Sequence, residues 1–378
     1  MCLIVCRGTE SAAAGGSGSP DVSVGKVRTV LGDVDPAALG PTMMHEHLLI
    51  TFGRWLIEQG EAFDWFEAFG WDREDPRATA PISWETSAFA RRRGHPDNFL
   101  LDDVELAIEE TARYAAAGGG TIVDSTNADM TRDAAGLRRI SEATGVHVVM
   151  GSGNYWWRHH PPDMDGRSEQ QLSDEIVREV TEGCDGTESR AGIIGEVACD
   201  YPMHPNERKA LRAAADASMR TGVALQVHPG RDPRAPQDIV DTVIEAGGDP
   251  ARTIICHLDR TFFDPEESIA LAASGCYLEF DLFGLEIYDL APLEMPNDVM
   301  RVNHLQRLIA EGLTDRLLVS QDICRKTSLV RYGGDGYAHI LENVVPLMRR
   351  KGVSEDEIEA ILVRNPARIL AMVEPSAA

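Results

Sequence analysis

Basic residues are scarce in this 378-residue chain: 36 lysines and arginines face 61 aspartates and glutamates, a formal charge of -25. That balance argues against nucleic-acid or anionic-membrane binding, since both reward a basic surface. Long hydrophobic runs are missing too. No apolar stretch approaches the roughly 20 residues needed to span a bilayer. The opening Met1-Cys2-Leu3-Ile4-Val5-Cys6-Arg7 is too short an apolar stretch for a signal peptide. Seven cysteines (Cys2, Cys6, Cys184, Cys199, Cys256, Cys276 and Cys324) are scattered, odd in number and without framework spacing. They suit a reducing compartment better than secretion, so the expected location is the cytoplasm.

What is present is an ordinary globular balance, 43% hydrophobic and 26% charged, far from a disordered composition. Residues 1–25 hold an Ala/Gly/Ser-rich stretch and are expected to form a flexible lead-in. Residues 26–370 are expected to form one domain, and 371–378 a tail. Short runs rich in Val, Ile and Leu recur at Thr42–Glu46, Thr121–Ser125, Val146–Gly151, Gly192–Val197, Val223–His228, Thr253–His257, Cys276–Phe280 and Arg316–Ser320. Nearly continuous hydrophobicity is what strands buried on both faces of a parallel sheet require. Helical stretches lie between them: Asp102–Ala117, Asp133–Thr144, Gln171–Thr181, Pro205–Thr221, Pro236–Ala246, Pro265–Ala273 and Asn297–Glu311. Ala338–Lys351 and Glu355–Val363 add two more helices after the last strand. Eight strands with intervening helices predict a (β/α)8 TIM barrel. An open doubly wound sheet is the second choice, but it would need a glycine-rich phosphate turn where the chain reads Met44-His45-Glu46-His47.

One segment breaks this rhythm. Residues 51–98 carry Phe52, Trp55, Phe63, Trp65, Phe66, Phe69, Trp71, Trp84 and Phe89 directly after the first barrel strand. A long insertion at that end of a barrel serves as a lid, a binding loop or a subunit contact, or packs as a satellite cluster for its own stability.

Metal-ligand residue types stand at the strand ends: His45 and His47, then Glu196, His228, His257 and Asp322. His45 and His47 are two residues apart and so share one face of a strand. A barrel gathers its chemistry at such strand tips. Paired histidines on the first strand, an acid on the fourth, histidines on the fifth and sixth, and an aspartate after the eighth resemble the amidohydrolase superfamily. Within it, Gly192-Ile193-Ile194-Gly195-Glu196, Val227-His228-Pro229-Gly230-Arg231, Cys256-His257-Leu258-Asp259-Arg260, Ser320-Gln321-Asp322-Ile323 and Tyr332-Gly333-Gly334-Asp335-Gly336-Tyr337 resemble the phosphotriesterase family and its phosphotriesterase-related subgroup. The resemblance runs from about Val27 to Arg368. It implies that His45, His47 and Asp322 hold the more buried of two metals, that His228 and His257 hold the second, and that Glu196 bridges them. It also implies a homodimer.

The chain departs from the family prototype, whose bridge is a carbamylated lysine following Gly-Ile-Ile. Here Gly195 takes that place and the acid comes one residue later. Only Lys26, Lys209, Lys326 and Lys351 exist, and none falls on a predicted strand. A shift of one residue turns a side chain to the wrong face of a regular strand. A bulge or twist is therefore predicted at Gly195.

Mixed imidazole and carboxylate ligands point to zinc, with manganese or cobalt as substitutes. Cations sharing Glu196 would also share a water whose pKa falls towards about 7, and Asp322 is placed to accept its proton. The reaction class is metal-assisted hydrolysis of a small molecule. Arg158, Arg231, Arg260 and Arg325 follow strand ends and are candidate contacts for an anionic substrate tail. Pairing with the adjacent Asp232 and Asp259 is the alternative for Arg231 and Arg260. The subgroup includes hydrolases of N-acyl amino acids and N-acyl taurines, which fits such a tail. Lactone, ester or phosphotriester hydrolysis is the alternative. The lactonases of this family carry Asp-Arg-Tyr-Gly after the seventh strand, whereas this chain reads Asp281-Leu282-Phe283-Gly284. Two further alternatives are a non-catalytic binding protein and a mononuclear deaminase on the same barrel. His159 and His160 either line the pocket or lie in a solvated loop. His95, His147, His204, His304 and His339 are expected to be structural or exposed.

Overall fold

Eight short strands run parallel, each hydrogen-bonded to the next in chain order. The computed structural model describes residues 23–51, 64, 66, 67, 70–286 and 295–376. Most of the expected lead-in, and Phe52, Trp55, Phe63, Trp65 and Phe69 of the aromatic segment, lie outside the described residues. The barrel strands are β3 (Thr42–Glu46), β4 (Thr121–Asp124), β5 (His147–Ser152), β6 (Ile193–Cys199), β7 (Leu225–Pro229), β8 (Thr253–Ile255), β9 (Tyr277–Phe280) and β10 (Leu317–Val319). The last and first strands meet where Asp322 donates its N–H to the His45 carbonyl (3.1 Å) and His45 donates its own to Ser320 Oγ (2.9 Å). The order is that of a (β/α)8 barrel, and the doubly wound alternative is excluded.

Helices α1 (Val104–Ala116), α2 (Ala134–Thr144), α3 (Glu169–Thr181), α4 (Pro205–Thr221), α5 (Ala235–Glu245), α6 (Pro265–Ala272) and α7 (Asp298–Ala310) fill the connections. Local chemistry sets their ends. Asp103 accepts from the N–H groups of Glu105 and Leu106 to start α1, and Gly222, left-handed at φ 70°, ends α4. After β10, the two expected helices each contain a wider π-helical turn, at Ile340–Val344 and Ala360–Arg364. No helix among the described residues is long and apolar enough to cross a membrane.

Strand alternation explains the unbroken hydrophobicity. Met43, Ile122, Val148, Ile194, Leu225, Ile255, Leu278 and Leu317 belong to the apolar cluster shared with the helices. Met44, Val123, Val149, Ile193, Ile254, Tyr277 and Leu318 pack instead in a separate cluster inside the barrel. An antiparallel hairpin that the hydrophobic pattern does not announce, β1 (Val27–Thr29) with β2 (Gly32–Val34), joins that inner cluster through Val27. Ile369 and Leu370 join it from the C-terminal end. The tail returns here too, with Met372 donating its N–H to the Lys26 carbonyl (2.9 Å).

The described part of the aromatic insertion docks on the loop after β10. Arg91 donates to the carbonyls of Thr327 (2.9 Å) and Gly333 (2.8 Å), and Thr327 donates its N–H to Asn98 Oδ1 (2.9 Å). Trp71 is buried and donates Nε1–H to the Gly94 carbonyl (2.6 Å), whereas Trp84 is 64% exposed.

Candidate metal centre

The six predicted ligands converge. Glu196 is central, with its Oε2 2.7 Å from His228 Nδ1, 3.5 Å from His257 Nε2 and 3.5 Å from His45 Nε2. Its Oε1 lies 3.4 Å from His47 Nε2. Asp322 Oδ1 is 3.2 Å from His47 Nε2 and 3.9 Å from His45 Nε2. His45, His47 and Asp322 therefore lie close enough together that they could hold one ion, the grouping expected from the family resemblance. His45, Glu196 and His257 form a second, while His228 joins through Glu196 and through a 2.9 Å contact with His257.

Two irregular strands make this possible. Between β6 and β7 the register shifts from Ile194 to Val197, the irregularity predicted at Gly195. Gly195 takes φ +151°, and the Gly195–Glu196 peptide is cis. A Cβ at Gly195 would sit 2.5 Å from the Gln226 carbonyl oxygen, so only glycine fits. The shift carries Glu196 inward although Ile194 packs outward. A second register shift, between Met43 and Glu46 on β3, brings His45 inside next to the interior residue Met44. Glu46 then clamps the segment after β10: Ser320 Oγ (2.7 Å), Gln321 N (2.9 Å) and Ile323 N (2.9 Å) all donate to its carboxylate.

A ring of partners aims the imidazoles. His257 Nδ1 lies 2.8 Å from Asp281 Oδ1, and His47 Nδ1 2.9 Å from Thr126 Oγ1. His45 Nδ1 faces Asp281 Oδ2 at 3.2 Å. In these three residues the outer nitrogen meets protein and Nε2 points inward, the arrangement that orients metal-binding histidines. His228 is turned the other way. Its Nδ1 faces Glu196, and Arg260 Nη2 donates to its Nε2 (3.0 Å).

Electrostatics match this geometry. Burial pushes the Glu196 carboxyl up, but the His45 and His228 imidazoles outweigh it and hold the acid well below the carboxylate range. Burial lowers the His47 pKa, but hydrogen bonds to Asp322 and Glu196 dominate and raise it to about 9. His228, depressed by burial and by His257, falls to about 4 and is neutral, consistent with its acceptance from Arg260. The carboxylates thus draw positive charge to the centre of the cluster. Nε2 of the fully buried His45, the nitrogen turned towards Glu196 and Asp322, also lacks any hydrogen bond. Buried imidazole nitrogens are seldom left so. An orphaned Nε2, further inward Nε2 atoms and two carboxylates fit a pair of divalent cations. No lysine competes for the bridge: Lys26, Lys209, Lys326 and Lys351 contact Asp35, the Met164 carbonyl, Asp97 and Asn303 respectively.

Access is from one side. The side chains of His45, His47, His257 and Glu196 are at most 3% exposed, against 18% for Asp322 and 24% for His228. A cavity of about 280 Å³ opens on Asp322 and is lined by Arg91, Phe283, Arg325 and His339 among others. The Tyr155 ring packs edge-on against His228 at 5.5 Å. Burial, with the charges of Glu196 and Asp322, pushes its phenol well above the ordinary range, so it stays a hydrogen-bond donor.

The four candidate arginines divide. Arg260 is buried against His228, and Arg325 lines the cavity with its guanidinium over Phe99. Arg158 is exposed and lies over the Trp157 ring at 4.4 Å, and Arg231 is exposed as well. Neighbour pairing also fails, because Asp232 binds Arg234 (2.7 Å) and Asp259 binds Arg301 (2.7 Å). His159 and His160 are half-buried and packed around Tyr155, not solvated. His304 is buried against Ser268 and Phe280, while His339 joins the cavity wall and binds Asp298 (2.6 Å). The main candidate site residue that sequence reasoning overlooked is Asp281, which contacts both His257 and His45. Its signal was present: it lies two residues after Glu279, on the inward parity of β9.

Comparison with known proteins agrees with this geometry. The model of the Phosphotriesterase family matches residues 25–370. Human N-acetyltaurine hydrolase is 41% identical over 351 residues, covering 92% of this chain and 98% of that protein. Among solved structures, a resiniferatoxin-binding protein from Rhodobacter sphaeroides is 37% identical with a TM-score of 0.84, covering 93% of this chain and 96% of the other. The organophosphorus hydrolase from Deinococcus radiodurans is 28% identical with a TM-score of 0.72, covering 94% and 100%. A barrel of this order, a converging ligand set at its strand ends and a match spanning both lead to one assignment: the chain belongs to the phosphotriesterase family and is a hydrolase.

Proposed function

We propose that the chain is a binuclear metal-dependent amidase for small N-acyl substrates with an anionic tail, N-acyl taurines and N-acyl amino acids being the favoured class. The observation that carries this is the meeting of His45, His47, Glu196, His228, His257 and Asp322 around one carboxylate. High similarity to N-acetyltaurine hydrolases over nearly the whole chain supports the substrate class. His45, His47 and Asp322 would hold one cation, His228 and His257 the other, with Glu196 shared; zinc suits these donors best, and manganese or cobalt can replace it. When bound, such cations supply Lewis-acid activation of water and of the scissile carbonyl.

The chain's own residues do the rest. Asp322 is the cluster carboxylate with solvent access, and its pKa lies below the ordinary value because the hydrogen bond from His47 and the nearby imidazoles outweigh burial. It is therefore ionised at neutral pH, able to take a proton from the attacking water and return it to the leaving nitrogen. Tyr155, a neutral donor, packs beside His228.

Lactone or phosphotriester hydrolysis is the second reading, supported by the likeness to the organophosphorus hydrolase. Leu282 and Phe283 stand where the family's lactonases carry arginine and tyrosine, which weighs against lactones. A non-catalytic binding role is disfavoured because all six ligand positions are kept, and a mononuclear site because Glu196 lies among the histidines of both halves. The test is a hydrolysis panel of N-acetyltaurine, N-acetyl amino acids, lactones and phosphotriesters with the metal-loaded protein. Preference for the anionic amides by at least about 10²-fold in kcat/KM is expected. Faster turnover of lactones or phosphotriesters would overturn the amide assignment.

A further inference from the structure

Arg260 is the exception among the buried cations of this acidic chain. Arg28 pairs with Asp33, Arg132 with Glu179 and Asp185, and Arg301 with Asp259 and Asp298. Arg260 is 8% exposed, yet among the described residues no carboxylate lies within ion-pair distance of it. Its Nη2 donates to the Pro229 carbonyl (3.1 Å) and to His228 Nε2 (3.0 Å), and its buried Nη1 has no partner. Asp259, its sequence neighbour, is committed to Arg301. A guanidinium held out of water with no counter-charge is costly.

The position of Arg260 shows what would offset that cost. It lies directly behind His228, the most exposed ligand of the cluster. One imidazole ring separates it from Glu196 Oε2, which is 2.7 Å from His228 Nδ1. The proton of His228 adds a constraint. Its Nδ1 can serve a cation only in the tautomer that carries the proton on Nε2. That proton would face the Nη2 donor of Arg260, which must then find another acceptor. A working site therefore leaves Arg260 with donors on both terminal nitrogens, beside a centre that is already cationic. Such a place calls for an anion.

We propose that Arg260 anchors the anionic tail of the substrate, a sulfonate or carboxylate two carbons beyond the scissile nitrogen. This rests on the amidase reading above, and it names the group that gives the reaction its specificity. An extended N-acyl taurine sets its charged group roughly 5 Å from the acyl carbon, and a hydrogen bond of about 3 Å to the guanidinium adds to that reach.

The test separates anchor from activity. Calorimetric titration of the metal-loaded protein with 1-propanesulfonate, with butyrate and with the neutral methyl propyl sulfone reads the anchor without catalysis. The wild type is expected to bind at least one anion on the order of 10-fold or more tighter than the sulfone, and Arg260→Gln to lose that difference; the two anions rank sulfonate against carboxylate. In kinetics at matched metal content, Arg260→Gln should raise KM for N-acetyltaurine by on the order of 10²-fold with a much smaller fall in kcat. Its kcat/KM for neutral N-ethylacetamide should fall by a much smaller factor than that for N-acetyltaurine. If Arg260→Gln does not fold, the anion-over-sulfone preference of the wild type and its weakening in Arg260→Lys decide. Equal binding of anions and sulfone by the wild type, or an undiminished preference in the variant, overturns the proposal. Arg260-dependent anion binding without hydrolysis of any amide would leave the anchor standing and remove the amidase reading.

Discussion

The lower and upper interiors of this barrel are built from the same strands by opposite chemistry. Below, Met44, Val123, Val149, Ile193, Ile254, Tyr277 and Leu318 form an apolar layer with the hairpin and the C-terminal helix. Above, the next inward positions are Ser125, Gln226, Cys256, Glu279 and Ser320, all buried, topped by the ligand cluster. Gln226 ties this polar layer together, accepting from Ser125 Oγ (2.8 Å) and donating to the Met44 carbonyl (3.0 Å) and to Glu279 Oε2 (2.9 Å). The lower layer is held by area removed from water, which tolerates exchange of one apolar residue for another. The upper layer is held by specific partners and tolerates little, because each lost partner strands a buried polar group. Stability and chemistry are thereby separated along the strand axis.

Substitutions can break that separation. The largest expected effect is at the top: Asp322→Asn should lower kcat for N-acetyltaurine by at least about 10³-fold in steady-state assays, while the melting temperature stays close to wild type. One step out, Asp281→Asn weakens the acceptor that faces both His257 and His45. It should lower metal affinity by about 10- to 100-fold in competition with a chelator. In the lower layer, Leu318→Ala should cost about 2–5 kcal/mol in denaturant unfolding, with kcat of the folded fraction unchanged. A large loss of kcat there would show that the two layers are coupled.

The smallest effect lies outside the barrel. Burial depresses the His304 pKa to about 4, against about 6.5 when unfolded. The unfolded chain binds that proton first, so stability is full above about pH 6.5 and is lost as pH falls towards 4. His304→Gln should flatten the melting profile over that window by a few degrees. An unchanged profile would assign the acid sensitivity to other groups.

The same contrast explains what was legible in the sequence. The strands were readable because two apolar faces leave an unbroken run of Val, Ile and Leu; Thr42–Glu46 is found as predicted. The candidate ligands stood out because imidazoles and carboxylates at strand ends are conspicuous, and the glycine before Glu196 announced its irregular strand. The hairpin at Val27–Val34 was not readable, since three-residue strands carry too little periodicity. Asp281 was passed over because little in its sequence surroundings marks it, and only the fold brings His45 and His257 to it. The arginines were hardest. Adjacency in sequence suggested that Asp259 neutralises Arg260, whereas in space Arg301 takes that acid.

The central claim is a cation pair sharing Glu196, and metal content tests it most directly. Protein purified without chelators and analysed by mass spectrometry for bound metal should carry about two divalent ions per chain. Glu196→Gln should carry clearly fewer under the same conditions. One ion or none in the wild type, unchanged by Glu196→Gln and by added zinc, would contradict the account.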